Sequence, residues 1–146
     1  MTAGRVNTNT EKNWFTPEWL FVEIERFFGV VELDPCWCDG SPVRALVTYA
    51  LPEQDGLSLP WDKKTVFVNP PYGRDPVRGT TIKNWLRLCE QAYNEGSEVI
   101  CLCPVATNTS HWKSHVFPSF SRICFLKDAR FKFQGASEKG APEDFP

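Results

Sequence analysis

The apolar run Val66-Phe67-Val68 passes directly into Asn69-Pro70-Pro71-Tyr72-Gly73. Such a run of β-favouring residues reads as a buried strand. The two prolines then end it, because each fixes φ and removes a backbone donor, so no ladder continues past Asn69. A chain with this feature must stop a buried strand abruptly and present a rigid loop at its carboxyl end.

The rest of the chain supplies partners for that strand. Thr16-Pro17-Glu18 reads as a helix start, with Thr16 as N-cap, Pro17 at the first helical position and an acid in the first turn. Leu20, Ile24, Phe27 and Phe28 form one apolar stripe, and Gly29 fits the stop. Val30 to Leu33 reads as a short strand ended by Asp34-Pro35, and 43–51 contains room for another. Residues 81–95 carry Ile82, Trp85, Leu86, Cys89, Ala92 and Tyr93 at helical spacing. Val99 to Cys103 is a further buried strand, Ser110 is placed to cap a short helix through Val116, and 122–126 and 130–133 read as strands. Strands alternating with helices predict an α/β fold, a mostly parallel sheet with helices on both faces. In such sheets ligands bind outside the carboxyl ends of the strands, and both Asp34-Pro35 and the Asn69 loop fall at strand ends.

The 146 residues allow a polar, flexible segment over 1–12 and a single domain over 13–146. A net charge of −2 carries no global signature of nucleic-acid binding, but the charge is uneven. Residues 11–34 sum to −4, whereas 63–87 sum to +5 and 111–134 to +4. The two basic blocks either line a phosphate-facing surface or are solvated helix faces. Arg74, Arg78 and Lys83, which follow the Asn69 loop, are the candidate phosphate contacts. No signal peptide or membrane-length apolar stretch is present, so a cytoplasmic chain with six reduced cysteines is expected.

The loop suits one kind of chemistry. An exocyclic amino group on a base is a poor nucleophile because its lone pair is delocalised into the ring. Acceptors that hold its two hydrogens localise that lone pair toward a methyl donor. Asn69 offers a side-chain carbonyl and Pro70 a backbone carbonyl, while Pro71 keeps the loop stiff. Tyr72 supplies a face on which a flipped-out base can stack, and Gly73 permits close approach. The bland alternative is a Pro-Pro turn with Tyr72 as packing.

With these residues in view, the chain resembles the phage-type DNA N6-adenine methyltransferases (the Dam-like proteins of bacteriophages and prophages). The resemblance runs from Asn13-Trp14-Phe15-Thr16-Pro17 through Leu33-Asp34-Pro35-Cys36, Asp55-Gly56-Leu57, Trp61 and Asn69-Pro70-Pro71-Tyr72-Gly73. It continues through Trp85, the stretch 102–109 and Arg130-Phe131-Lys132-Phe133, in the family's order. It implies a Rossmann-like methyltransferase fold, S-adenosylmethionine as donor and adenine N6 in double-stranded DNA as acceptor. It further implies Asn69, Pro70, Pro71 and Tyr72 as the catalytic loop, and Thr16, Pro17, Asp34, Pro35, Asp55 and Asn69 as cofactor contacts. Its setting would be phage or prophage DNA marked against restriction. Cys36-Trp37-Cys38-Asp39-Gly40 stands where a Gly-rich cofactor loop is usual, and the family's last strand is not found before Pro146.

The residues themselves leave other readings open. Asp34 and Asp55 adjoin Pro or Gly and also suit ordinary turns. His111 and His115 have metal-ligand spacing but no third ligand, so no metal is expected. Pro35-Cys36 matches the pair used by cytosine C5 methyltransferases, yet it stands at the cofactor position and reads as coincidence. Guanine N2 in RNA and glutamine in protein are alternative acceptors, and a non-catalytic DNA-binding remnant is a third possibility. No feature calls for an oligomer, and a monomer is expected.

Overall fold

The computed structural model describes residues 15–126. Helix α1 (Glu18–Phe28) buries Leu20, Phe21 and Ile24. Gly29, at φ 80°, takes the left-handed conformation that closes the helix and donates to Glu25 O at 2.8 Å. Its start differs from expectation. Pro17 is the capping residue, its carbonyl accepting from the N–H groups of Leu20 and Phe21, and no side chain caps the helix. Thr16 is therefore not the N-cap, which leaves its buried hydroxyl for another partner.

Four strands follow: β1 (Val31–Asp34), β2 (Ala45–Thr48), β3 (Thr65–Val68) and β4 (Glu98–Cys101). They form one parallel sheet in the order β2-β1-β3-β4. All of β3 is buried, and its side chains alternate between two cores. Phe67 packs with Phe21, Ile24 and Val31 on the α1 side, its ring meeting Phe21 edge-on at 6.2 Å. Val66 and Val68 pack with Leu33, Trp61 and Trp85 on the other side. Trp85 belongs to helix α2 (Ile82–Asn94) and stacks on Trp61 at 6.2 Å. Both faces of the sheet thus carry a helix, as parallel strands require to shield their apolar sides.

Helix α2 is capped by Thr81, whose N–H donates to Asn84 Oδ1 at 2.9 Å. Its inner residues Ile82 and Leu86 meet Trp112 and Val116 of a π-helical turn, α3 (Trp112–Val116), which runs on into Phe117–Ser119. That segment is the short helix expected near Ser110. The strand expected at 122–126 is not formed: these residues lie outside any strand, and Ile123 and Phe125 are exposed. Their alternation is strand-like, but no described strand pairs with them. The segments 1–14 and 127–146, with the expected strand at 130–133, lie outside the described residues. Among the described residues no helix is long and apolar enough to cross a membrane.

The strand order has a direct consequence. From β1 the chain moves outward to β2, then returns across β1 to form β3. The direction of winding reverses between β1 and β3, and at such a switch point the loops leaving the two strands diverge and open a crevice. Asp34 ends β1 and Asn69 follows β3, so the two loops singled out in the sequence flank that crevice.

Candidate active site

Asn69 joins three segments. Its Nδ2 donates to Thr16 Oγ1 at 3.1 Å, and its Oδ1 accepts from the Tyr72 hydroxyl at 3.0 Å. Its backbone carbonyl accepts from the Cys36 thiol at 3.2 Å. The Tyr72 hydroxyl also lies 3.4 Å from Leu102 O, just past the end of β4. Burial pushes the Tyr72 phenol well above its ordinary range, so it stays protonated and able to donate. Pro70 is buried and Pro71 exposed, so the loop points one proline into the protein and one outward.

Asp34 is only 4% exposed. Its Oδ1 accepts from the Cys36 N–H at 3.0 Å and its backbone carbonyl from the Tyr49 N–H at 3.0 Å. Burial raises its pKa to about 7, more than the bonds from Cys36 lower it. The folded protein therefore keeps this proton between about pH 4 and pH 7, where an unfolded aspartate has released it. Stability from this group is present at low pH and is lost as pH rises through 7. Asp34→Asn, which keeps the carbonyl acceptor and cannot ionise, is expected to raise the thermal midpoint by roughly 8–17 °C at pH 8 and by less than half as much, roughly 3–7 °C, at pH 5. Melting curves of the ligand-free protein at the two values check this, and equal shifts at both would exclude an ionised buried carboxyl.

Asp55-Gly56-Leu57 reaches the same crevice from the segment between β2 and β3. Gly56 packs so tightly on Pro35 that a Cβ there would lie 1.7 Å from the Pro35 carbonyl oxygen. Its own carbonyl accepts from Trp61 Nε1 at 2.8 Å. Asp55 Oδ1 accepts from Leu57 N–H at 3.0 Å and from Arg78 Nη1 at 2.6 Å. Burial pushes the Asp55 pKa up, but the bonds from Leu57 and Arg78 outweigh it and hold the carboxyl below its ordinary range.

Arg78 is where the structure departs most from the sequence reading. Instead of standing free to face phosphate, its guanidinium bridges Asp55 and Asp75, with Nε 2.8 Å from Asp75 Oδ2. Asp75 Oδ1 also accepts from the N–H groups of Val77 and Arg78, closing the turn after the Asn-Pro-Pro-Tyr loop. Arg78 thus ties that turn to the Asp55 segment. Arg74 and Lys83 are exposed.

Thr16, Pro17, Asp34, Pro35, Asp55 and the Asn69–Tyr72 loop are linked by contacts around one crevice, although they span 57 residues. The sequence reading missed the Cys36 thiol and Trp61 as supports of the loops, and the Thr16 hydroxyl as a partner of Asn69. Thr16 and Trp61 stood within the resembling motifs, but nothing local announced what they would touch. Among the described residues no group of three or more His, Cys, Asp or Glu side chains is placed to hold a metal.

An asparagine amide and a stiff Pro-Pro-Tyr loop thus stand at the switch point of a parallel sheet, with hydrogen-bond acceptors gathered at the strand ends. The chain belongs to the DNA N-6-adenine-methyltransferase (Dam) family, whose model matches residues 4–144. It is similar to the DNA N-6-adenine-methyltransferase of Haemophilus phage HP1 (strain HP1c1), with 26% identity over 135 residues covering 91% of this chain and 72% of that protein. No solved structure matches it significantly.

Proposed function

We propose that the chain transfers a methyl group from S-adenosylmethionine to adenine N6 in double-stranded DNA, within a Rossmann-like methyltransferase fold. The observation that carries this reading is the Asn69 amide at the end of β3, with Oδ1 engaged by a hydrogen-bond donor at 3.0 Å. An acceptor already holding a hydroxyl is placed to hold an amino hydrogen instead. Family membership and the phage relative support the same acceptor.

The donor set around the crevice suits the cofactor. A sulfonium compound bearing an ammonium group and ribose hydroxyls calls for hydrogen-bond acceptors. Asp34, Asp55 and the carbonyl-rich proline loops supply them. Asp34 with Pro35, and Asp55, would hold it beside Thr16, Pro17 and Asn69. When bound, it supplies an electrophilic methyl group for direct transfer.

The chain's own residues do the rest. Asn69 Oδ1 and the Pro70 carbonyl accept the two amino hydrogens of a flipped adenine and localise its lone pair. Pro71 keeps the loop from relaxing, and Tyr72 turns from its hydroxyl bond to offer a stacking face. Arg74 and Lys83 face the phosphates of the duplex, while Arg78 keeps the loop between them in place. The protein acts as a monomer in the host cytoplasm, marking phage or prophage DNA against restriction.

Incubation of the purified protein with labelled S-adenosylmethionine and unmethylated DNA, RNA or protein tests this reading. N6-methyladenine in the DNA hydrolysate is the expected product. Label in RNA or protein alone moves the acceptor. A folded protein that retains DNA but binds no cofactor is a non-catalytic remnant.

A further inference from the structure

We propose that Lys83 and Arg87 form a stripe on α2 that grips DNA phosphates beside the target base, kept open by His115, which holds Glu90 away from Arg87. This rests on the DNA reading above and adds Arg87 and His115, which lie outside the crevice, to the groups that act on the duplex.

Ile82 and Leu86 face α3. The residues after them, Lys83 and Arg87, lie about 100° further round the helix and are exposed. Because β3, α2 and β4 follow one another and the two strands are parallel, α2 runs back against them. Its first half therefore stands at the carboxyl ends of the strands, on the side of the crevice.

Charge on α2 is arranged against what folding favours. Helix α1 carries Glu18 in its first turn and Arg26 in its last, matching the helix dipole. Helix α2 has no acid in its first turn and no base in its last; Lys83 and Arg87 stand near its start, Glu90 and Glu95 near its end. Lys83 and Arg87 are also four residues apart, where like charges repel. Both costs are relieved when a polyanion lies along the stripe.

The stripe is also left unneutralised. Among the described residues neither Lys83 nor Arg87 forms an ion pair, whereas Arg26, Arg44 and Arg78 each do. Glu90, three residues after Arg87, is its natural partner along the helix. Instead, Glu90 Oε2 accepts from His115 Nδ1 at 3.1 Å. Bonds from His115 and Ser119 hold the Glu90 carboxyl below its ordinary range. It is therefore ionised and can only accept, which puts the hydrogen on Nδ1. His115 thus ties the acid to α3 and leaves Arg87 free for phosphate.

The test is DNA affinity as a function of salt, read by fluorescence anisotropy on a labelled duplex that the wild type methylates, with S-adenosylhomocysteine present. Arg87→Ala and Lys83→Ala are each expected to weaken binding about 3- to 10-fold at about 50 mM salt. Each also lowers the slope of log Kd against log salt by about 1, the loss of one phosphate contact. Lys64→Ala, which removes an exposed cation just before β3 at the opposite end of the sheet, stays within about twofold of wild type. His115→Ala frees Glu90 to pair with Arg87 and reproduces the Arg87→Ala loss. Adding Glu90→Gln to it restores affinity to within about twofold of wild type, a rescue that a merely structural His115 does not predict. His115→Phe, which keeps a ring without the donor, stands in if His115→Ala does not fold.

Wild-type affinity and slope in Arg87→Ala or Lys83→Ala overturn the proposal. So does a His115→Ala protein with no loss, or with a loss that Glu90→Gln does not reverse. A wild-type protein that neither binds nor methylates DNA removes the DNA reading itself, a failure distinct from these.

Discussion

Asn69→Ala is expected to lower kcat/KM for DNA methylation by at least about 10²–10³-fold while the protein stays folded. The substitution removes the acceptor for the amino hydrogen, the donor to Thr16 and the partner of the Tyr72 hydroxyl together. The backbone bond from Cys36 remains, because it ends on the main-chain carbonyl. The loop should therefore survive and the loss should fall on kcat. Steady-state kinetics with labelled cofactor, alongside circular dichroism and a melting curve, read both. A folded variant with wild-type kcat would remove Asn69 from the chemistry. Asn69→Asp sharpens the experiment: it keeps an acceptor facing Tyr72 and can take a bond from the Thr16 hydroxyl, so it should lose less than alanine.

The second large effect is on stability. Gly56→Ala places a Cβ 1.7 Å from the Pro35 carbonyl oxygen and 2.7 Å from its carbonyl carbon. The colliding group is backbone, so it cannot rotate away as a long side chain would. Relief requires moving the Asp55-Gly56-Leu57 turn, which Trp61 holds through its bond to the Gly56 carbonyl, or moving the end of β1. The expected cost is about 3 kcal/mol or more, a fall of roughly 6–12 °C in the thermal midpoint. Calorimetric melting checks it. A midpoint within about 2 °C of wild type would mean that the two loops are not in contact. Both predictions act on one crevice through separate physics: Asn69 through hydrogen bonding in the reacting arrangement, Gly56 through the space available between two loops.

Much of the architecture is legible in the order of the residues. The stripe on 81–95 places α2, because helix formation answers to spacing within a few turns. Val66 to Val68 and the prolines after them locate β3 and its end for the same local reason. Gly29 marks the close of α1 through its own backbone freedom. The motif at 69–72 points to amino-group chemistry because the required groups are neighbours in the chain.

What the sequence by itself determined, then, is where most of the helices and sheet strands lie and which loop carries the acceptors, since these depend on residues close in sequence. Only the tertiary structure decided which groups meet across the fold. The order β2-β1-β3-β4 puts Asp34 beside Asn69. The close approach of Gly56 to Pro35 brings Asp55 to the same crevice. Arg78, one of several cations in a basic block, becomes a bridge between Asp55 and Asp75 because two acids reach it first. Thr16, which looks like a helix cap, turns its hydroxyl to Asn69 because Pro17 takes the capping position. The strand-like alternation at 122–126 forms no strand, since a strand needs a neighbour and no local pattern can supply one.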